Sequence, residues 1–283
     1  MDRKKVRPST LASGTNHGAV SVTDRNRAFY DALWSRTYLT RPSRFNTWPL
    51  VSSLLPDVAQ RLEIGPGLRP RLPVAGTHFV DLSPTVVERL NARGAHARTG
   101  EIATLPFRDG EFDLVAAFDV IEHSENDERV FSELTRVLGA RGHLIFSVPL
   151  HPHRWCRFDD VVGHARRYVP AALLDLLARH GLSVERSAVF GMQSNHPRCL
   201  DFAVLGLTEH FEVAVRCYNW LFFPLGMLLQ RPLQLEKGLI DLTDVDEVLV
   251  YCRRRPAPSP SSLVNGSSTG LEVITGGQPP PAL

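Results

Sequence analysis

A doubly wound α/β fold is predicted by three features of this 283-residue chain. Short apolar runs alternate with helical patterns through its middle. One of these runs, Leu144-Ile145-Phe146, is apolar without a break, as a strand buried on both faces of a parallel sheet must be. Another run ends in a glycine turn, Gly65-Pro66-Gly67, the kind of turn that meets ligands at the carboxyl ends of such strands. Together they describe a Rossmann-like sheet of seven strands, mostly parallel, with helices on both faces.

The strand-like segments are 61–64, 77–81, 95–99, 112–118, 143–148, 184–190 and 247–252. Helices fall between them. In 125–138 the residues Val130, Phe131, Leu134, Val137 and Leu138 share one face. Ser124 with Asp127 reads as a capping box, and Gly139 as a stop. The helix expected over 168–180 begins near Pro170, carries Leu173, Leu174 and Leu177, and stops at Gly181.

One domain is expected over 25–255, between a polar tail at 1–24 and a Pro/Gly/Ser-rich tail at 256–283. It carries a helical cap at 25–58 and an apolar insertion at 197–232. At 43% hydrophobic and 22% charged, the composition suits a soluble globular protein with a sizeable core. A net charge of +2 gives no field strong enough to point to nucleic acid. The basic start, Met1 to Arg7, has no apolar segment behind it, so it is not read as a secretory signal. The four cysteines form no CxxC pair, which suits reduced thiols in a cytoplasmic protein. No apolar stretch is long enough to span a bilayer.

The stretch Arg61-Leu62-Glu63-Ile64-Gly65-Pro66-Gly67 carries the most information. Glycine lets backbone approach a ligand with no Cβ in the way. Glu63, at the strand's edge, is placed to meet a cationic amine through water or the loop. About 18 residues on, Phe79-Val80-Asp81 ends a second strand in an acid, at the spacing of a carboxylate that accepts ribose hydroxyls. Nicotinamide-dependent oxidoreductases use the same device. Their G-x-G-x-x-G needs a third glycine beside the pyrophosphate, and here Pro70 stands there. S-adenosylmethionine has no phosphate and removes that need.

LEIGPG, FVDLS, GEIATLPFRDGEFDLVAAFDVIEH and GHLIFSVP, in that order, resemble the motifs of class I S-adenosylmethionine-dependent methyltransferases. The nearest resemblance is to the small-molecule branch that includes the ubiquinone and menaquinone biosynthesis enzymes. It covers about 60–150 well and the rest loosely. It implies the class I methyltransferase fold, whose last strand is antiparallel, and S-adenosyl-L-methionine as cofactor. It also implies that Gly65 and Gly67 line the methionine end, that Asp81 binds ribose, and that Leu82 flanks adenine. Glu101 and Ile102 would approach the adenine ring, and Phe118 and Asp119 would close the site, with Glu122 and His123 just beyond. Where the family often has a third glycine this chain has Arg69, which is expected to point to solvent.

A hydroxyl acceptor calls for a general base, and histidine titrates near neutral pH. Candidates cluster after the fifth strand, in His151 to Tyr168. His151 and His164 are the first choices for the base, with His123 behind them. The structural alternative is that Asp160 and His164 hydrogen-bond the loop while Tyr168 anchors the next helix. The loop offers metal-ligand types at no zinc spacing, so no metal is expected.

The acceptor is expected to meet residues outside the shared core. Tyr30, Trp34 and Trp48 in the cap either line its pocket or bury the cap on the core. The insertion contains Tyr218-Asn219-Trp220-Leu221-Phe222-Phe223-Pro224, too short to cross a membrane and interrupted by Pro224. It serves as a lid over a greasy acceptor, as a contact with a second copy in a homodimer, or as a weak membrane anchor flanked by Arg216 and Arg231. The expected activity is methyl transfer to a small or lipid-like acceptor, at oxygen on base rates alone. The alternatives are the oxidoreductase and a non-catalytic fold-mate serving as a partner subunit.

Overall fold

The structure is a computed structural model that describes residues 22–191 and 197–255. The remaining parts of both expected tails lie outside the described residues. The strands are β1 (Arg61–Ile64), β2 (His78–Asp81), β3 (His96–Thr99), β4 (Phe112–Phe118), β5 (Leu138–Pro149), β6 (Leu182–Val189), β7 (Glu236–Lys237) and β8 (Glu247–Arg254). The helices are α1 (Val22–Ser35), α2 (Trp48–Leu54), α3 (Pro84–Asn91), α4 (Asp127–Val137), α5 (Arg157–Val162) and α6 (Pro170–Arg179), followed by α7 (Pro197–Glu209), α8 (Phe211–Cys217) and α9 (Phe223–Leu229).

The strands form one sheet in the order β3-β2-β1-β4-β5-β8-β6-β7. β1 pairs in parallel with β2 on one side and β4 on the other, so chain direction through the sheet reverses beside β1. That reversal opens a crevice at the strand tips. β8 runs antiparallel between β5 and β6. Among the described residues the sheet therefore has eight strands rather than seven. The extra one, β7, pairs only Glu236 and Lys237 with β6, and two exposed charged residues carry no alternating apolar signal.

Alternation along the strands separates two faces. Val115, Ala117, Leu144 and Phe146 pack with α4 and α6 on one. Leu114, Ala116, Ile145 and Leu249 pack with Leu50 and Val51 of α2 on the other. Beside β2, Phe79 is buried with Val86 and Leu90 of α3, whose N-cap Ser83 accepts the Val86 N–H.

Local expectations needed revision at three points. The cap of α4 is Asn126, whose side chain accepts the Arg129 N–H at 3.0 Å, while Ser124 Oγ accepts the Asn126 N–H. Gly139 lies inside β5 instead of ending a helix, because Leu138 already pairs with Phe112 across a register shift. Pro224 does not interrupt the apolar run. A π-helical turn at Tyr218–Phe222 joins α8 to α9, and Pro224 is the second residue after that turn, in a rod that continues through it.

Candidate active site

β1 delivers the chain into the crevice through two left-handed glycines, Gly65 at φ +61° and Gly67 at φ +54°. The Gly65 N–H donates to Val80 O at 2.8 Å, which clips the turn to the end of β2. A Cβ on Gly65 would stand 2.6 Å from Val120 Cγ2. Both positions need glycine for conformation and for space.

Glu63 faces into the protein. Its carboxylate accepts the backbone N–H of Arg71 at 2.9 Å and of Leu72 at 2.8 Å, so it braces the far end of the glycine loop. Burial raises its pKa to about 7, against the pull of those N–H groups. It does not line the crevice, and the loop backbone occupies both of its oxygens.

Asp81 ends β2 in the crevice wall. Its Oδ2 accepts the Gly67 N–H at 3.0 Å and its Oδ1 the Ser83 N–H at 2.9 Å. Burial raises its pKa to about 6, opposed by those two bonds. Each oxygen keeps further lone-pair capacity. Gly65, Leu82, Glu101, Ile102 and Val120 line the same crevice, with His123 at its rim. A buried acceptor carboxylate, the exposed backbone of Gly65 and an apolar wall fit an adenosine with an amino-acid tail. Glu101 is the loosest of these residues, half exposed and 3.9 Å from Arg27.

The tip of β4 carries the acids. Asp119 has φ +50°, unusual for a residue with a side chain. Its N–H donates to Ser147 Oγ at 3.0 Å, and the Ser147 hydroxyl donates back to Asp119 Oδ1. Glu247 of β8 lies near Asp119, and burial together with Asp119 raises it well above the carboxylate range. Phe118, just before Asp119, packs on the α2 face and does not line the crevice.

Behind the rim, three side chains meet. His164 Nδ1 donates to Asp159 Oδ1 at 2.8 Å, its Nε2 stands 3.7 Å from Glu122 Oε1, and its ring lies 4.9 Å from that of His123. His123 donates through Nδ1 to Gly163 O at 3.0 Å, which leaves Nε2 facing the Tyr30 hydroxyl at 3.3 Å. Burial, then His164, lower the His123 pKa to about 4, so it is a neutral imidazole at pH 7. Burial, with Asp119 and Asp159, raises Glu122 well above the carboxylate range. Glu122, His123 and His164 have ligand atoms within 4.8 Å of one another, a grouping that can hold a metal ion although no metal was expected. It is not the set that the loop sequence offered, since His151 is spent elsewhere.

His151 is buried, with φ +62°, and donates through Nε2 to Leu242 O at 2.8 Å. It does not line the crevice. The loop after β5 is organised by Asp159 rather than Asp160. Asp159 is fully buried and accepts the Cys156 N–H, His164 Nδ1 and Arg167 Nε. Asp160 only accepts from Trp155 Nε1. Tyr168 is buried, with an isolated bridge from its backbone to Leu150.

α1 covers the crevice with residues spaced along one face. Asn26 donates to Gly163 O at 3.2 Å, Tyr30 donates to Val162 O at 3.2 Å, and Asp31 accepts from Ser83. Trp34 lies on Gly67. Trp48 is partly buried against the α2-face core.

Arg69 is not in solvent. Its guanidinium donates to Tyr218 Oη at 2.8 Å and Asn219 Oδ1 at 2.9 Å, and sits 3.7 Å from the Phe223 ring centroid. It thus ties the insertion to the glycine loop. Arg71, absent from the expected site, has its guanidinium 3.7 Å from the Phe45 ring centroid, with Nε and Nη1 buried and without a hydrogen-bond partner among the described residues. Burial lowers its pKa, countered by Asp119 and Glu63. Its loop position gave no sequence signal.

The chain matches the methyltransferase-domain family over residues 63–146. No curated protein matches it in sequence. Among solved structures it resembles a Haemonchus contortus phosphoethanolamine N-methyltransferase in complex with phosphomonomethylethanolamine and S-adenosylhomocysteine. That likeness has 14% identity and a TM-score of 0.51, and covers 85% of this chain and 62% of the other. It also resembles an S-adenosylmethionine-dependent methyltransferase of Thermotoga maritima at 17% identity, TM-score 0.49, over 82% and 96% of the two chains. A third, from Mesorhizobium loti, has 17% identity and a TM-score of 0.45, over 74% and 98%.

Proposed function

We propose that this chain, a class I S-adenosylmethionine-dependent methyltransferase by its domain and fold, passes the methyl group to an oxygen of a small or lipid-like acceptor. The observation that carries the reading is the buried Asp81 carboxylate beside Gly65 of the glycine turn, both lining the crevice at the reversal of the sheet. Asp81 would hold the ribose, Gly65 and Gly67 the amino-acid end, and Leu82 and Ile102 the base. The bound cofactor supplies a methyl group on a sulfonium centre, already an electrophile.

The residues of the chain then have three tasks. The first is to orient the acceptor, which in good intramolecular cases is worth up to roughly 7–11 kcal/mol. The aromatic side chains of the cap, Tyr30, Trp34 and Trp48, are the proposed walls. Arg71, whose buried Nε and Nη1 have no hydrogen-bond partner among the described residues, suits an acceptor that carries an anionic group. The second task is to take a proton from an acceptor hydroxyl. His123 is placed for this at the crevice, with the His164 ring 4.9 Å from its own and His164 in turn hydrogen-bonded to Asp159. His151 is the weaker candidate, because Nε2 is committed to a backbone carbonyl. The third is to exclude water, which α1 does by covering the crevice.

Calorimetry with S-adenosylhomocysteine tests the cofactor assignment. Asp81→Ala should weaken binding strongly in a folded protein, and unchanged affinity would refute the ribose role. Labelled cofactor in a cell extract, followed by mass identification of the methylated product, tests the acceptor. A product methylated at nitrogen or carbon would overturn the oxygen reading.

A further inference from the structure

We propose that the outer face of the helical rod at residues 211–229 docks flat on an anionic membrane surface. α8, the π turn and α9 run on without a break. The inner face is Val215, Asn219, Phe223 and Met227, all buried. Residues four apart drift around an α-helix of 3.6 residues per turn, and the wider π turn brings them back into line. Asn219 seals this face by donating to Thr37 Oγ1 at 3.0 Å while accepting from Arg69. Phe223 and Met227 pack with Phe45 and Tyr38.

Among the described residues the outer face has no such cover. Trp220 is 73% exposed, Leu221 58%, Leu228 80% and Leu229 68%, with Phe222 and Leu225 exposed beside them. From Val213 to Gln230 the single charged residue is Arg216. Isolated surface leucines are ordinary, but a continuous apolar face of this kind marks a surface that something covers.

The rim says what covers it. Arg36 and Arg216 share a surface notch with Trp220. Arg231 follows the rod, and Gln230 holds the turn that carries Arg44 by donating to Arg44 O. The acid in the notch, Glu212, is already paired with Arg36 at 3.1 Å. An apolar face with a tryptophan, flanked in sequence by Arg216 and Arg231, is complementary to a bilayer that contains anionic lipid. It is poorly complementary to a second copy. An isologous dimer through this face would oppose arginine rims of the same sign. None of the described helices is long and apolar enough to cross a membrane, so the rod lies in the interface. The proposal stands on this surface alone and needs no particular acceptor.

Flotation of the full chain with vesicles tests it. The wild-type protein should float with phosphatidylcholine vesicles that contain phosphatidylglycerol, and poorly with phosphatidylcholine alone or at raised salt. The double variant Leu221→Glu, Leu228→Glu should lose about tenfold or more of the bound fraction. Its affinity for S-adenosylhomocysteine should stay at the wild-type value, which shows that it has folded. Wild-type protein left at the bottom of the gradient with anionic vesicles would overturn the proposal. So would a double variant that floats normally. A wild-type dimer by analytical ultracentrifugation that the same variant dissolves, with no vesicle binding by either, would assign the face to a second copy.

Discussion

The indole of Trp34 lies so close over Gly67 that a Cβ on the glycine would stand 2.1 Å from Trp34 Cζ2. A residue of the N-terminal helix therefore rests on the loop that sequence motifs assign to the cofactor. Gly67→Ala should destabilise the fold by about 2 kcal/mol, from the left-handed backbone and the displaced ring together. In a Trp34→Ala background the ring's share should vanish and only the backbone cost remain. Urea unfolding of the four proteins in this cycle checks it. Equal costs in both backgrounds would show that the ring exerts no constraint.

Trp34 should also report ligand binding. If the cofactor's amino-acid end reaches Gly67, the indole must move, and tryptophan emission should change on titration with S-adenosylhomocysteine. Trp34→Phe should abolish the change while Trp155→Phe leaves it. A signal that survives Trp34→Phe would place the movement elsewhere.

Cofactor affinity should fall as pH drops through about 6, where Asp81 takes up a proton. The sign follows from the role. A carboxylate that accepts from ribose hydroxyls loses acceptor capacity when protonated. Burial has raised its pKa, so the loss begins nearer neutrality than for an ordinary aspartate. Asp81→Asn should bind weakly and without that pH dependence. A wild-type profile flat from pH 5 to 8 by calorimetry would contradict the assignment.

Asp159 should matter more for stability than its place in a loop suggests. Burial alone would raise its pKa, but the hydrogen bonds from His164, Arg167 and the Cys156 N–H outweigh it and hold the carboxyl well below the usual range. A depressed folded-state pKa contributes stability above the unfolded value of 3.8, and that stability is lost as pH falls below it. Asp159→Asn should cost about 3 kcal/mol at pH 7, by leaving a buried charge without its partner. The variant should lose less stability than the wild type on acidification. Thermal melts across pH check both.

Arg71→Met should leave thermal stability unchanged or higher, because buried N–H groups without partners cost more than an apolar side chain of similar length. If Arg71 anchors the acceptor, KM for the acceptor should rise in the same variant with cofactor affinity unaltered. His123→Ala and His164→Ala should instead lower kcat by about a hundredfold or more. A clear drop in Tm for Arg71→Met would mean that it serves the fold.

The residues that carry local signals were legible in the sequence. β1 and β4 begin and end at their expected residues, because a short apolar run bounded by turn residues has little freedom as to where it becomes a strand. The glycine turn and Asp81 follow from the same logic, since left-handed backbone and a strand-end acid are one-dimensional facts. Cap residues were less secure. Ser124 and Asn126 are both competent caps, and only the backbone geometry chose between them.

Side-chain partners across long separations were decided only by the tertiary structure. Glu63 reads as a ligand-facing acid, yet the packed sheet turns it onto the N–H groups of Arg71 and Leu72. Asp119 and Glu247 come to act on each other only because β8 inserts beside β5, and no local pattern encodes a pairing across the sheet. Arg69 was expected in water and instead lies among Tyr218, Asn219 and Phe223, residues about 150 positions away. Backbone conformation and burial period are properties of neighbouring residues, and the sequence determined them. Which charge meets which, and which apolar face stays uncovered, depends on how distant elements pack, and only the folded chain could decide it.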